Sequence, residues 1–144
     1  MVPSTVRIPM ESSYVFPAGA LFLGVEPLTD FSKRGQGDDQ ARDENGVRLW
    51  QVRVLDLDPE AGRFGGSKEV KVKIAAEVQP VPPESPFPGI PAPVEFEGVT
   101  VTPYVDSSRR CGDRCRGRLA WSVRAVSMVP ARSLAEVQAA AAAA

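Results

Sequence analysis

Residues 79–94 read Gln-Pro-Val-Pro-Pro-Glu-Ser-Pro-Phe-Pro-Gly-Ile-Pro-Ala-Pro-Val, with seven prolines in sixteen positions. We call this stretch the proline segment. Because each proline fixes φ and removes a backbone donor, the segment can form neither a helix nor a central strand. We expect it to run extended, close to polyproline II, over the surface. It therefore separates the strand-forming parts of the chain into two groups.

Five segments outside the proline segment show the apolar–polar alternation of strands. In the second of them Val52 and Val54 share one face and Arg53 lies on the other. Trp50 and Trp121 are in phase with the apolar faces of their strands, so the sequence predicts both in the core. The five predicted strands are Ala20–Val25, Leu49–Leu57, Glu69–Ala76, Gly98–Val105 and Leu119–Met128.

The order of these segments predicts an all-β fold, a small five-stranded barrel of the oligonucleotide-binding type, with the proline-rich crossing between strands 3 and 4. That connection is often a helix, which the prolines would replace; other β-sandwiches also fit the pattern. We expect one barrel domain over residues 1–130. Residues 131–144 would form a helical or disordered tail, because Ser133 could cap a helix and alanine is the best helix former.

The composition argues against an enzyme. The chain has 144 residues, a net charge of −1 and no histidine, so the commonest general base and the commonest metal ligand are both missing. The sequence also contains no glycine-rich phosphate loop and no nucleophile elbow. Asp56 and Asp58 fit turn capping better than cation binding. We expect a non-enzymatic protein with no cofactor and no metal.

The cysteines and the hydropathy bear on the compartment. Cys111 and Cys115 are the only cysteines, too few for a zinc site, which needs four ligands. Inert thiols and a disulfide across their loop remain alternatives. No apolar run approaches the ~20 residues of a membrane span, and the N-terminus lacks the signal-peptide pattern. We therefore expect a cytosolic protein that does not contact a membrane.

Basic residues recur on the polar faces of three predicted strands. If those strands are neighbours, the cations form one stripe that could contact phosphates, while aromatic side chains such as Phe64, Tyr104 and Phe87 stack on bases. The alternative is an ordinary solvated face whose charges keep the sheet soluble. The stripe consists of Arg53, Lys71, Lys73 and Arg124.

A second basic feature is the arginine loop, Ser108–Arg118, which lies between the fourth and fifth predicted strands. Its repelling charges favour a phosphate-binding role, since guanidinium groups match phosphate geometry. The alternative is a solvated hairpin tip. The five arginines are Arg109, Arg110, Arg114, Arg116 and Arg118.

Several ordered segments together resemble a known family, the plasmid replication, integration and excision activators of actinomycete integrative elements. The resemblance covers most of residues 10–130, and it implies an accessory protein of a mobile element that activates replication and excision. It brings no catalytic or binding residues to this chain, and the arginine loop lies beyond the family's pattern. The matching segments are Phe16–Ala20, Val25–Phe31, Leu49–Asp56, Val94–Val105 and Leu119–Ala125.

Two hypotheses of function follow. The first is a non-enzymatic accessory protein that binds DNA, with single-stranded DNA favoured, through the basic stripe and the arginine loop. The second is a protein-interaction module that docks to a replication initiator or a transcription regulator without touching DNA. The near-zero net charge and the proline segment favour the second hypothesis, because extended proline-rich segments bind at little entropic cost. The sequence leaves monomer and homo-oligomer both open.

Overall fold

The protein is described here by a computed structural model that covers residue 3 and residues 5–63, 67–106 and 117–132. This part of the chain contains eight strands, one short helix and one 3₁₀ turn over Phe31–Lys33. In chain order the elements are β1 (Ile8–Met10), α1 (Ser12–Val15), β2 (Ala20–Pro27), β3 (Leu49–Asp56), β4 (Glu69–Ala75), β5 (Pro93–Glu97), β6 (Val99–Asp106), β7 (Arg118–Ala125) and β8 (Ser127–Pro130).

All eight strands belong to one mixed sheet with the order β1-β6-β7-β4-β3-β2-β5-β8. Neighbours are antiparallel except β4 and β7, which run parallel. Strands β2, β3 and β4 form a meander, as their chain order suggests. The sheet curls into a half-barrel around one apolar cluster.

The prediction of an all-β fold is confirmed, but the prediction of a five-stranded, oligonucleotide-binding-type barrel is wrong. All five predicted segments are strands, and β1, β5 and β8 are additional. β5 was hidden because it begins at Pro93, inside the proline segment. β8 was not predicted because the pattern of Leu119–Met128 indicates one strand. In the structure Val126 lies between β7 and β8 and donates its N–H to the Glu97 carbonyl at 2.9 Å.

Gly98 separates β5 from β6, as Val126 separates β7 from β8. Its φ is +62°, a left-handed conformation that residues with a Cβ rarely adopt. A Cβ at this position would lie 2.5 Å from Cγ2 of Val126. The two strand pairs therefore bend together at Gly98 and Val126, which lets the sheet curl.

The core consists of the apolar faces of the central strands. Val52, Val54 and Val72 are fully buried, as the alternation in β3 and β4 predicts. Phe16, which follows α1, closes one side of the cluster by packing against Phe96 with ring centroids 5.9 Å apart. The same helix is fixed to β5 because the Phe96 N–H donates to a hydroxyl of α1.

The two tryptophans differ in environment. Trp50 is buried, as predicted, and its Nε1 donates to the Ala76 carbonyl at 2.8 Å. The prediction that Trp121 is a core residue is wrong, because 49% of it is exposed. The buried residues of β7 are Val123 and Ala125, so the first half of the strand extends beyond the core.

The proline segment forms neither helix nor strand before Pro93, as expected. Its large apolar side chains Val81, Phe87 and Ile90 are exposed. The predicted C-terminal tail lies outside the described residues from position 133 onward. In the described ranges, no helix has the length and apolar character needed to cross a membrane.

Candidate nucleic-acid interface

A groove of about 1150 Å³ is lined by residues of β4, β7 and β6, most of them on the outward faces of these strands. The apolar residues of β4 turn towards the core, so Lys71 and Lys73 emerge on the opposite face. The N-terminal segment before β1 supplies another cation. We call this feature the basic groove; its charged lining residues are the cations Arg7, Lys71, Lys73, Arg118 and Arg124 and the carboxylate Glu69.

The sheet order brings the predicted basic stripe together. β3, β4 and β7 are consecutive neighbours, so the outward residues of one strand lie beside those of the next. The register places Arg53 opposite Lys71 and Lys73 opposite Arg124. The stripe is therefore continuous across three strands.

The Lys73–Arg124 pair is the electrostatic centre of the basic groove. Both side chains are partly buried, and no acidic group of the described residues lies within 4.0 Å of either one. The pKa of Lys73 is lowered, first by burial and then by the positive charge of Arg124. Two like charges in adjacent register disfavour each other. A bound anion between them would remove this repulsion.

An ion pair closes one end of the basic groove. Arg7 donates to both carboxylate oxygens of Glu44, at 2.9 and 3.1 Å. The hydrogen bond from Arg7 is the main reason that the pKa of Glu44 falls to about 2, and the charge of Arg124 lowers it further. Arg7 is thus already engaged with Glu44.

Arg53, the β3 residue of the predicted stripe, pairs with a carboxylate. It does not line the basic groove; its Nη1 lies 3.5 Å from Oε1 of Glu69. The guanidinium passes over Gly24, where a Cβ would lie only 2.8 Å from Nη2. Arg53 therefore compensates Glu69, the one carboxylate among the described residues that line the groove, against five cations.

β4 and β7 separate along part of their length. They pair only where Val72–Ile74 meets Val123–Ala125, although both strands begin several residues earlier. We call this unpaired stretch the fork: Glu69–Lys71 of β4 on one side and Arg118–Ser122 of β7 on the other. Apolar residues line the groove there, namely Val70, Pro103, Ala120 and Trp121.

Aromatic residues lie beside these cations. Tyr104 lines the basic groove and is 50% exposed; its cross-strand partner is the small Ala120. Trp121 also lines the groove, and sequence reasoning missed it because a tryptophan in phase with valines resembles a core residue. Phe87 is exposed but is not a lining residue.

Several predicted site residues lie outside the described part of the chain. Arg118 is described, at the start of β7, and lines the basic groove. In the chain the arginine loop lies between β6, which ends at Asp106, and β7, which begins at Arg118. The residues outside the described ranges are Phe64, Arg109, Arg110, Cys111, Arg114, Cys115 and Arg116.

Comparison with known proteins does not identify the chain: no family model matches it, and neither a curated protein nor a solved structure does. Across residues 5–63, 67–106 and 117–132, no three acidic or other metal-ligating side chains come together to hold a metal ion. The function must therefore be argued from the basic groove itself.

Proposed function

We propose that the protein binds single-stranded nucleic acid in the basic groove. The observation that carries the proposal is the Lys73–Arg124 pair, two partly buried cations in adjacent register with no acidic partner within 4.0 Å among the described residues. A phosphate between them exchanges like-charge repulsion for two charge-assisted hydrogen bonds. Lys71 extends the same positive track along β4.

The groove also offers surfaces that suit bases. Nonspecific single-strand binding combines a positive track for the backbone with aromatic side chains for the bases. Here cations line the groove together with the half-exposed Tyr104 and Trp121. A duplex keeps its bases stacked inside, so exposed rings favour a single strand.

The resemblance to activators of plasmid replication, integration and excision suggests the process in which this binding takes part. Under this proposal the protein is a non-enzymatic accessory factor of a mobile element, acting on single-stranded DNA that replication or excision exposes. The arginine loop would lengthen the footprint, because it directly precedes β7, whose first residue, Arg118, lines the groove.

Fluorescence anisotropy with a labelled 20-nucleotide thymidine oligomer at low salt tests the proposal. We expect binding by the native protein and clear weakening in a Lys73→Ala, Arg124→Ala double variant. The matched control is Lys33→Ala, Arg34→Ala, which removes the same two residue types from the 3₁₀ turn and its cap. No binding at tens of micromolar protein, or equal loss in both double variants, would contradict the proposal.

A second candidate function is docking to a replication initiator or regulator through the proline segment. A turn presents Phe87 and Ile90 together: the Ile90 N–H donates to the Phe87 carbonyl at 3.3 Å, and Gly89 between them has φ +77°. Both apolar side chains are exposed. Extended proline-rich segments dock in grooves lined by aromatic residues.

Affinity purification with and without nuclease separates the two functions. Docking predicts that an initiator or regulator stays bound after nuclease treatment and is absent from the material recovered with a Phe87→Ala variant. Release of the partner on nuclease treatment alone would indicate that nucleic acid bridged the two proteins.

A further inference from the structure

The exposure of Trp121 needs an explanation. In β7 it lies two residues before the buried Val123 and shares that residue's face. Trp50, the other tryptophan, is buried and uses its indole nitrogen to fix the end of β4. A large ring left half exposed forgoes the favourable burial that tryptophan normally provides.

The fork explains where this ring is exposed. If β4 and β7 stayed paired over their whole length, the parallel register would bring Val70 beside Trp121. Instead the pairing stops at Val72 and Val123, and both Val70 and Trp121 line the groove. The fork is thus a gap between two strands with apolar residues on both sides and Lys71 at its edge.

We infer that the fork is a nucleobase pocket, in which one unpaired base stacks on Trp121 while its phosphates lie along Lys71, Lys73 and Arg124. The inference rests on the proposed function and deepens it by saying where in the groove a base binds. A flat, weakly polar ring suits a site with Val70 on one side and Trp121 on the other, whereas a phosphate would be desolvated there. Every base has a π-face, so the pocket accepts all four bases.

The inference predicts that bases, and not only phosphates, contribute to affinity. Stacking of a base on an aromatic side chain is worth roughly a 5- to 150-fold change in affinity when that side chain is replaced by alanine. We therefore expect Trp121→Ala to bind a 20-nucleotide thymidine oligomer weaker by a factor in that range. An abasic deoxyribose-phosphate oligomer of the same length should bind native protein and Trp121→Ala equally.

Leu119→Ala is the matched control. Leu119 lies on the same strand and the same face and is 62% exposed, but it does not line the groove. We expect this variant to keep native affinity for both oligomers. If Leu119→Ala weakened binding as much as Trp121→Ala, the loss would come from a general disturbance of β7, and the pocket would be refuted.

A fluorescence measurement tests the pocket without depending on the stability of the alanine variant. The difference in emission between native protein and Trp121→Phe isolates Trp121 from the buried Trp50. Thymidine oligomer should quench this difference emission, and abasic oligomer should not. Equal binding of the two oligomers to native protein, with no selective quenching, would overturn the pocket and leave phosphate binding intact. Binding of neither oligomer would refute the proposed function as well.

Discussion

Replacing Lys73 by methionine should stabilise the free protein and weaken its binding to nucleic acid. Methionine keeps most of the side-chain volume but removes the charge that opposes Arg124. The pKa of Lys73 is lowered in the folded protein by burial and by Arg124, so the protonated lysine is less favourable in the folded than in the unfolded state. The native stability is therefore reduced at neutral pH, and the reduction disappears as the pH rises through the folded and then the unfolded pKa of the lysine.

The size of both effects follows from the geometry. Cross-strand pairs in antiparallel sheets contribute about 0.2–1 kcal/mol, with like charges destabilising, and we take the same range for Lys73 and Arg124 on the parallel strands β4 and β7. For a chain of this length that corresponds to a rise in Tm of up to about 3 °C. Each phosphate of a single strand that the protein no longer neutralises reduces the slope of log affinity against log salt by about 0.7.

Thermal unfolding at pH 7 and pH 10, with anisotropy titrations at four salt concentrations, measures both effects. Lys33→Met is the matched control, a partly buried lysine in the 3₁₀ turn away from Arg124. We expect the control to change neither Tm nor the salt slope appreciably. A Lys73→Met variant that is less stable at pH 7 would contradict repulsion between Lys73 and Arg124, and one whose salt slope equals that of the native protein would contradict a phosphate contact at Lys73.

Two further predictions concern the curl of the sheet and the end of the basic groove. Gly98→Ala should lower the free energy of unfolding in urea by about 2–4 kcal/mol, because it combines a positive φ with a clash against Val126. The control Gly35→Ala has φ +89° and open space around its Cβ, so it should lose only the backbone part, about 1–2 kcal/mol. Equal losses in the two variants would contradict a clash at Gly98. The pKa of Glu44 is about 2 in the folded protein against an ordinary 4.5, so its contribution to stability is present above pH 4.5 and is lost as the pH falls to about 2. Glu44→Gln should lack this part of the acid dependence and should bind the thymidine oligomer more tightly at pH 7, because Arg7 is released; an unchanged acid profile would show that the ion pair does not hold in solution.

The alternation of β3, β4 and β7 was enough to predict much of the candidate site. Polar residues that alternate with buried valines must lie on the opposite face, so Lys71, Lys73 and Arg124 could be assigned to one side of the sheet. This step depends only on local periodicity, which the sequence expresses directly. That β7 lies beside β4 was only a condition of the prediction, because their parallel pairing is a long-range contact.

Long-range geometry could not be predicted in the same way. Whether Arg53 meets a phosphate or Glu69 depends on the register between strands and on the absence of a side chain at Gly24. Whether Trp121 is buried depends on where β4 stops pairing with β7, which periodicity does not encode. β8 was missed because the break at Val126 is a tertiary feature, and β5 was missed because it begins at a proline. The same limits apply to the pairing of Glu44 with the N-terminal segment.

Chemical-shift mapping with a ¹⁵N-labelled protein shows which residues meet the nucleic acid. On titration with the thymidine oligomer at low salt, we expect the largest shifts at the amides of Lys71, Lys73 and Arg124 and at the indole N–H of Trp121, while the amide of Phe87 in the proline segment is unchanged. Shifts concentrated in the proline segment, or no shifts at saturating oligomer, would contradict the assignment of the basic groove as a binding site for single-stranded nucleic acid.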